Sequence, residues 1–235
     1  MLKYSVLCVA LLCMLLTTIG SAVAEAGYSQ NVFGIHGGVG LGGSARSEDI
    51  DGVDVKPRLT GVGELHFNHF FNRIVGLNIG AGIISKGYLA QFDEGMVVVN
   101  GVLGNVAAHD SWYKSVHAVV PLGMIFNIGP LRLGIDVVFN YALSARIVDE
   151  IDGSRKNRYL EDEWWDEYRR FNFGPRVTAG IRIPVSTSGA LVAAAFFETG
   201  VLNNKKKSDD SALDDTNDSE RFWNLMATVG YEFGL

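Results

Sequence analysis

Between Leu131 and Arg146 the chain alternates apolar and polar residues for sixteen positions. Leu131, Leu133, Ile135, Val137, Phe139, Tyr141, Leu143 and Ala145 take the odd places. Arg132, Gly134, Asp136, Val138, Asn140, Ala142, Ser144 and Arg146 take the even ones. Successive side chains of a strand point to opposite faces, so this run makes one greasy face and one polar or glycine face. A helix would scatter the apolar set around its circumference. The segment is therefore expected to be a long strand.

Seven further segments carry the same period. They centre on Phe33–Leu41, Leu59–Phe67, Val75–Ile83, Val116–Phe126, Phe173–Ile183, Leu191–Val201 and Trp223–Phe233. Most exceed the ~9–11 residues that a tilted strand needs to cross a bilayer. Short connections (71–73, 127–130, 184–189) take turns with long polar ones (44–58, 89–112, 147–170, 202–221). That rhythm is expected of an up-and-down meander with all tight turns at one end. Within the second long connection, Asn100-Gly101 between Val97-Val98-Val99 and Val102-Leu103 predicts a hairpin.

The start of the chain reads as an export leader. Lys3 precedes an apolar stretch from Tyr4 to Leu16, and Ser21-Ala22-Val23-Ala24 offers small residues for a cut after Ala24. This divides the chain into a signal peptide, 1–24, and one barrel domain, 25–235. Both cysteines, Cys8 and Cys13, lie in the leader, so no disulfide, thiol nucleophile or cysteine metal site is expected in the domain. The net charge of −6 argues against a nucleic-acid partner. Hydrophobic residues make up 48% of the chain, yet no later segment has the ~18 uninterrupted apolar residues of a membrane helix.

Alternation suits a soluble barrel or sandwich with greasy residues inside, and equally a membrane barrel with them outside. Three features favour the second. The glycines, 28 in all, fall mostly on the polar face, where they would relieve crowding in a narrow lumen. That face also carries Glu64, Asp136, Glu198 and Glu232 against Lys86, Arg132, Arg146, Arg176 and Arg182. A nearly balanced set can neutralise itself where unpaired charges would be costly. Finally, Phe67, Phe71, Phe126, Tyr231 and Phe233 fall at the tight-turn end, while Tyr141, Phe173, Phe197 and Trp223 fall toward the long loops, as two interfacial girdles would. The fold class expected is all-β: an eight-stranded antiparallel up-and-down transmembrane β-barrel of the bacterial outer membrane, surrounded by lipid and lipopolysaccharide.

The string Val116-His117-Ala118-Val119-Val120-Pro121-Leu122, running into Met124–Asn127 and then Leu133–Arg146, resembles the central hairpin of the PorT-like outer-membrane β-barrel family. Ile84-Ser85-Lys86-Gly87 is similar to the ending of that family's third strand. Arg170–Gly174 and Glu198–Val201 are similar to its sixth-strand start and seventh-strand end. The resemblance implies an eight-stranded outer-membrane barrel and, for some members, a link to protein secretion. Val119 departs from the pattern, standing where the family commonly has an acidic residue. The carboxyl end, Tyr231, Phe233 and Leu235, keeps the parity that the outer-membrane assembly machinery reads but ends on leucine.

Catalytic or cofactor chemistry is sparse. His36 and His66 should project inward from neighbouring strands, where a hydrogen bond to a carboxylate such as Glu64 explains them better than a metal does. Gly37–Gly43 lies inside an alternating strand and is not followed by a helix, so it is not a phosphate loop. Asp209, Asp210, Asp214, Asp215, Asp218 and Glu220 read as a solvated loop, with calcium or a divalent bridge to lipopolysaccharide as the alternative. Trp164, Trp165 and Tyr168, set among acidic residues in the third long connection, are candidates for an outer recognition surface or a cap over the barrel mouth. His109 lacks a recognisable serine and acid, so no catalytic set is assigned. The expectation is a non-enzymatic protein without cofactor or metal, its lumen plugged by the charge network and its outer loops contacting an envelope or extracellular protein. A narrow porin-like channel and a lipid-modifying enzyme are the alternatives.

Overall fold

A computed structural model describes residues 30–46, 53–93, 95–99, 102–106, 108–151, 154–158, 169–204 and 220–235. They form eleven strands: β1 (Asn31–Arg46), β2 (Val53–Phe70), β3 (Val75–Phe92), β4 (Gly95–Val99), β5 (Val102–Val106), β6 (His109–Ile128), β7 (Leu131–Ile151), β8 (Ser154–Arg158), β9 (Phe171–Pro184), β10 (Gly189–Thr199) and β11 (Glu220–Gly234). Eight of them join antiparallel in the order β6-β3-β2-β1-β11-β10-β9-β7, and a β6–β7 pairing closes the ring. Closure removes both sheet edges, so every central strand has a partner on each side.

The odd face of β7 points outward. Ile135, Val137, Phe139, Tyr141 and Leu143 are exposed, while Arg132, Asp136 and Asn140 are buried. Other strands agree: Ile35, Val39, Leu65, Ile79, Ile83, Val177, Ile181, Leu191, Leu225 and Val229 all face out. From Leu133 to Leu143 the strand climbs about 33 Å at ~3.3 Å per residue. At the ~35–45° tilt of such barrels, this leaves a band about 25 Å tall, the height that hydrocarbon accommodates. The fold is the transmembrane barrel that the alternation predicts.

Two irregularities matter. The β2–β3 register shifts between Pro57 and Val62. The β6–β7 register shifts too: Val116 pairs with Ser144 and His117 with Ala142, leaving Leu143 as an extra residue on β7. One extra residue reverses the faces beyond it. Arg146, expected from its even position to line the lumen, is therefore exposed on the outside, opposite Lys114 of β6. Asp149 turns inward instead, where the Ser111 hydroxyl donates to it at 2.8 Å.

Strand pairing also runs well into segments expected as polar loops. The β3–β6 ladder continues to Phe92 and His109, and β6–β7 to Asp110 and Glu150. β8 then folds back on β7. The predicted hairpin is present as β4–β5, with Val99 opposite Val102.

Candidate functional site

The lumen is the best-defined candidate site, and it is filled in layers. At the tight-turn end Val32, Phe70 and Ile125 pack into a small apolar cluster. Next comes Glu232, fully buried on β11. Both terminal nitrogens of Arg132 donate to its carboxylate, the Nη2–Oε2 bond at 2.8 Å, and Arg182 Nε donates to Oε2 at 3.1 Å. Asn127 Oδ1 accepts from Arg132 Nε at 3.1 Å and fixes the fork from behind. His36 Nε2 lies 3.9 Å from Glu232. The His36 ring fits because β11 has Gly230 opposite it; a Cβ there would fall 2.3 Å from the imidazole.

Further along the strands, Arg176 bridges two carboxylates from opposite sides of the lumen. Its Nη1 donates to Glu64 at 2.9 Å, and its Nη2 and Nε donate to Glu198 at 2.7 and 3.0 Å. Lys86 Nζ donates to the other Glu198 oxygen at 2.5 Å, and Asn224 adds a bond at 3.2 Å. His66 stands 3.2 Å from Glu64, as its sequence position suggested, and 3.1 Å from Asn78 Oδ1. Asn78 in turn donates to Asp136 at 2.8 Å. The His36 and His66 rings sit 4.8 Å apart, and no cluster of three or more potential metal ligands occurs among the described residues.

Eight of the nine charged residues assigned to the lumen are there. Glu64, Asp136, Glu198 and Glu232 face Lys86, Arg132, Arg176 and Arg182. With Arg146 on the exterior, the set balances four against four. In a low-dielectric interior, where a lone charge is severely penalised, that neutrality is the condition for keeping any of them ionised.

An unanticipated layer crosses the lumen beside this network. Ile84, Val119, Val138, Phe196 and Met226 pack together from five strands, with Val62 against them. The Arg176 guanidinium lies 4.1 Å from the centre of the Phe196 ring, a cation–π contact joining the two layers. Val119, at the position where the family resemblance suggested an acid, belongs to this apolar layer. The sequence signal was present in Val138 and Phe196, apolar residues on an otherwise polar face. Beyond it, Tyr88, Ala90 and Phe222 form a third apolar cluster, with Tyr113 stacked on Tyr88 at 4.4 Å.

Two predicted features resolve differently. Glu220, grouped by sequence with a solvated acidic loop, opens β11 fully buried and accepts a hydrogen bond from Ser44 at 3.2 Å. His109 sits on β6 with its ring stacked on Phe92 at 4.5 Å. His117 faces the lumen, its Nε2 2.9 Å from the Ser115 hydroxyl, but among the described residues its Nδ1 has no hydrogen-bond partner and no carboxylate completes a triad there. Trp164, Trp165 and Tyr168, Asp209 to Asp218, and the leader 1–24 lie outside the described residues.

These features define an eight-stranded transmembrane barrel whose lumen is occupied by its own side chains. Among solved structures, the chain is similar to Ail, the attachment invasion locus protein of Yersinia pestis, at 14% identity, covering 87% of this chain and 99% of that one with a TM-score of 0.40. It is also similar to the outer membrane protein OprG from Pseudomonas aeruginosa, at 13% identity over 89% and 99% of the two chains, TM-score 0.40. A third similar structure is the outer membrane protease OmpT from Escherichia coli, at 9% identity over 88% and 94%, TM-score 0.36. No family model matches the chain, and no curated protein matches it.

Proposed function

We propose that this is a bacterial outer-membrane protein, exported by residues 1–24, whose barrel is a non-conducting and non-enzymatic mount for long outer loops. The observation that carries the reading is the stack across the lumen. An apolar cluster at the tight-turn end is followed by two buried ion-pair clusters with an apolar layer set among them, Ile84 and Phe196 standing just before Lys86 and Glu198 on their strands, so that among the described residues paired charges and apolar side chains occupy the lumen in place of a column of water. Eight strands enclose an interior that side chains can just fill. The exposed aliphatic band supports the membrane location, and the PorT-like motifs support placing the chain with that family of envelope barrels. The carboxyl-terminal parity of Tyr231, Phe233 and Leu235 supports delivery by the outer-membrane assembly machinery.

Planar-bilayer recording tests the closed lumen. The reconstituted protein is expected to give no stable conductance steps; a reproducible open channel would replace this reading with that of a narrow pore. In the same reading, Trp164, Trp165 and Tyr168 contact an envelope or extracellular partner. Protease added to whole cells is expected to cut beside Trp164-Trp165 while the protein remains in the outer-membrane fraction. Protection until the cells are broken would place that loop elsewhere.

A further inference from the structure

The interruptions in the barrel wall all fall on one side of it. Five of the eight ladders that close the ring, β1–β2, β1–β11, β10–β11, β9–β10 and β7–β9, run without a break. The other three are neighbours. β2–β3 and β6–β7 carry the register shifts, and β3–β6 between them has a gap of another kind. Ile79 pairs with Leu122 and Gly82 with Val119, yet Gly80 and Ala81 have no partner on β6, although the register does not change.

The cause is Pro121. It stands opposite Gly80, where two residues of an antiparallel ladder would exchange N–H and C=O bonds, and proline has no N–H to give. On its other side β6 stays paired with β7, Val120 with Phe139 and Pro121 with Val138, so the missing bond falls on β3. The Gly80 carbonyl thereby loses its ladder donor at the depth where that loss costs most. Ile79, Val120 and Leu122 are exposed on the outer face, and Leu122 pairs with Val137 of the apolar band. Hydrocarbon offers no substitute donor, and proline in sheets is otherwise confined to edges and bulges.

The lumen side of the gap is apolar. The Pro121 ring is fully buried and lies against Gly80, where a Cβ would come within 2.8 Å of its Cγ. Val119, two residues away on β6, and Val138, the partner of Pro121 on β7, belong to the apolar layer. Parting β3 from β6 here turns aliphatic side chains toward hydrocarbon, which solvates them as well as the lumen does.

We propose that the barrel wall has a lateral gate at this point: β3 and β6 part at Gly80 and Pro121 and open the apolar lumen layer to the hydrocarbon. The opening is sideways. The ion-pair clusters stay in place, so the lumen remains closed along its axis.

Amide relaxation dispersion, which reports μs–ms exchange, tests the gate on the full chain in lipid nanodiscs. Gly80, Ala81, Val119 and Val120 are expected to exchange with a minor state populated at roughly 0.1–10%. Gly40, Met226 and Ala227, on the unbroken β1–β11 wall, should give flat profiles. Pro121→Val keeps an apolar side chain in the lumen and restores the N–H. It should cut the minor state at least about fivefold, the weight of one regained hydrogen bond. Heat-modifiable gel migration checks that the variant folds, and Pro121→Ala is read in the same way if P121V does not. Flat profiles at Gly80 and Val120 in the wild-type protein overturn the gate, as does equal exchange at Met226. Exchange undiminished in the folded variant overturns the role given to Pro121. Planar-bilayer recording decides the non-conducting reading separately, so the two fail independently.

Discussion

Replacing Glu198 by glutamine is expected to destabilise the refolded barrel by about 3–5 kcal/mol, the usual cost of removing one partner from a buried ion pair. Glu198 accepts from Lys86, Arg176 and Asn224 and is almost fully buried beside the Phe196 layer. E198Q leaves four lumen cations facing three carboxylates. Arg176 keeps Glu64, at 2.9 Å, so Lys86 is the group stranded without a counter-charge. Adding Lys86→Met restores the balance at three against three and replaces the stranded ammonium with an apolar chain of similar length. The double variant K86M/E198Q should therefore recover a large part of the loss. Urea midpoints, read from the heat-modifiable shift on gels, supply both numbers. A single variant as stable as wild type would mean that the pair is open to water and that the lumen is not closed at this level.

How far these sites could be read from sequence depends on what the surroundings demand of each face. Within the membrane band, hydrocarbon outside and a narrow lumen inside impose opposite chemistries on alternate residues, so parity alone placed Arg132, Asp136, Arg176, Glu198 and Glu232 correctly. Past the band, water meets both faces and the alternation fades, although backbone pairing continues. That is why the outer ends of β3, β6 and β7, residues 89–92, 109–112 and 147–151, read as polar loops. Arg146 was misplaced for a related reason: the extra residue at Leu143 shifts the register without a glycine or proline to mark it. The apolar layer of Ile84, Val119, Val138, Phe196 and Met226 was visible only as exceptions to the polar face. Its closure depends on which exceptions share a level across five strands, a property of register that no single strand carries.

Placing an arginine at Val137 provides the sharpest contrast between the two faces of one strand. Val137 points outward near the middle of the band on β7, between Ile135 and Phe139, all of them exposed. A charged side chain at that depth on the lipid face costs about 2–4 kcal/mol in a membrane barrel, and the penalty fades toward the interfaces. V137R should therefore lower stability in lipid vesicles by that amount. The reciprocal change nine residues later, Arg146→Leu, should stay within about 0.5 kcal/mol, as exposed substitutions usually do. Arg132→Leu, on the same strand but facing inward, removes the bidentate fork on Glu232 and leaves that buried carboxylate Arg182 as its remaining cation, so it should cost about 3 kcal/mol, the low end of the range for a broken buried pair. The ordering Arg132 and Val137 large, Arg146 small is specific to a barrel with its charges inside and a parity reversal at Leu143. Were Arg146 a lumen residue, its loss would rank with that of Arg132. Were the greasy face turned inward, V137R would bury its charge in the core and the protein would not fold in vesicles at all.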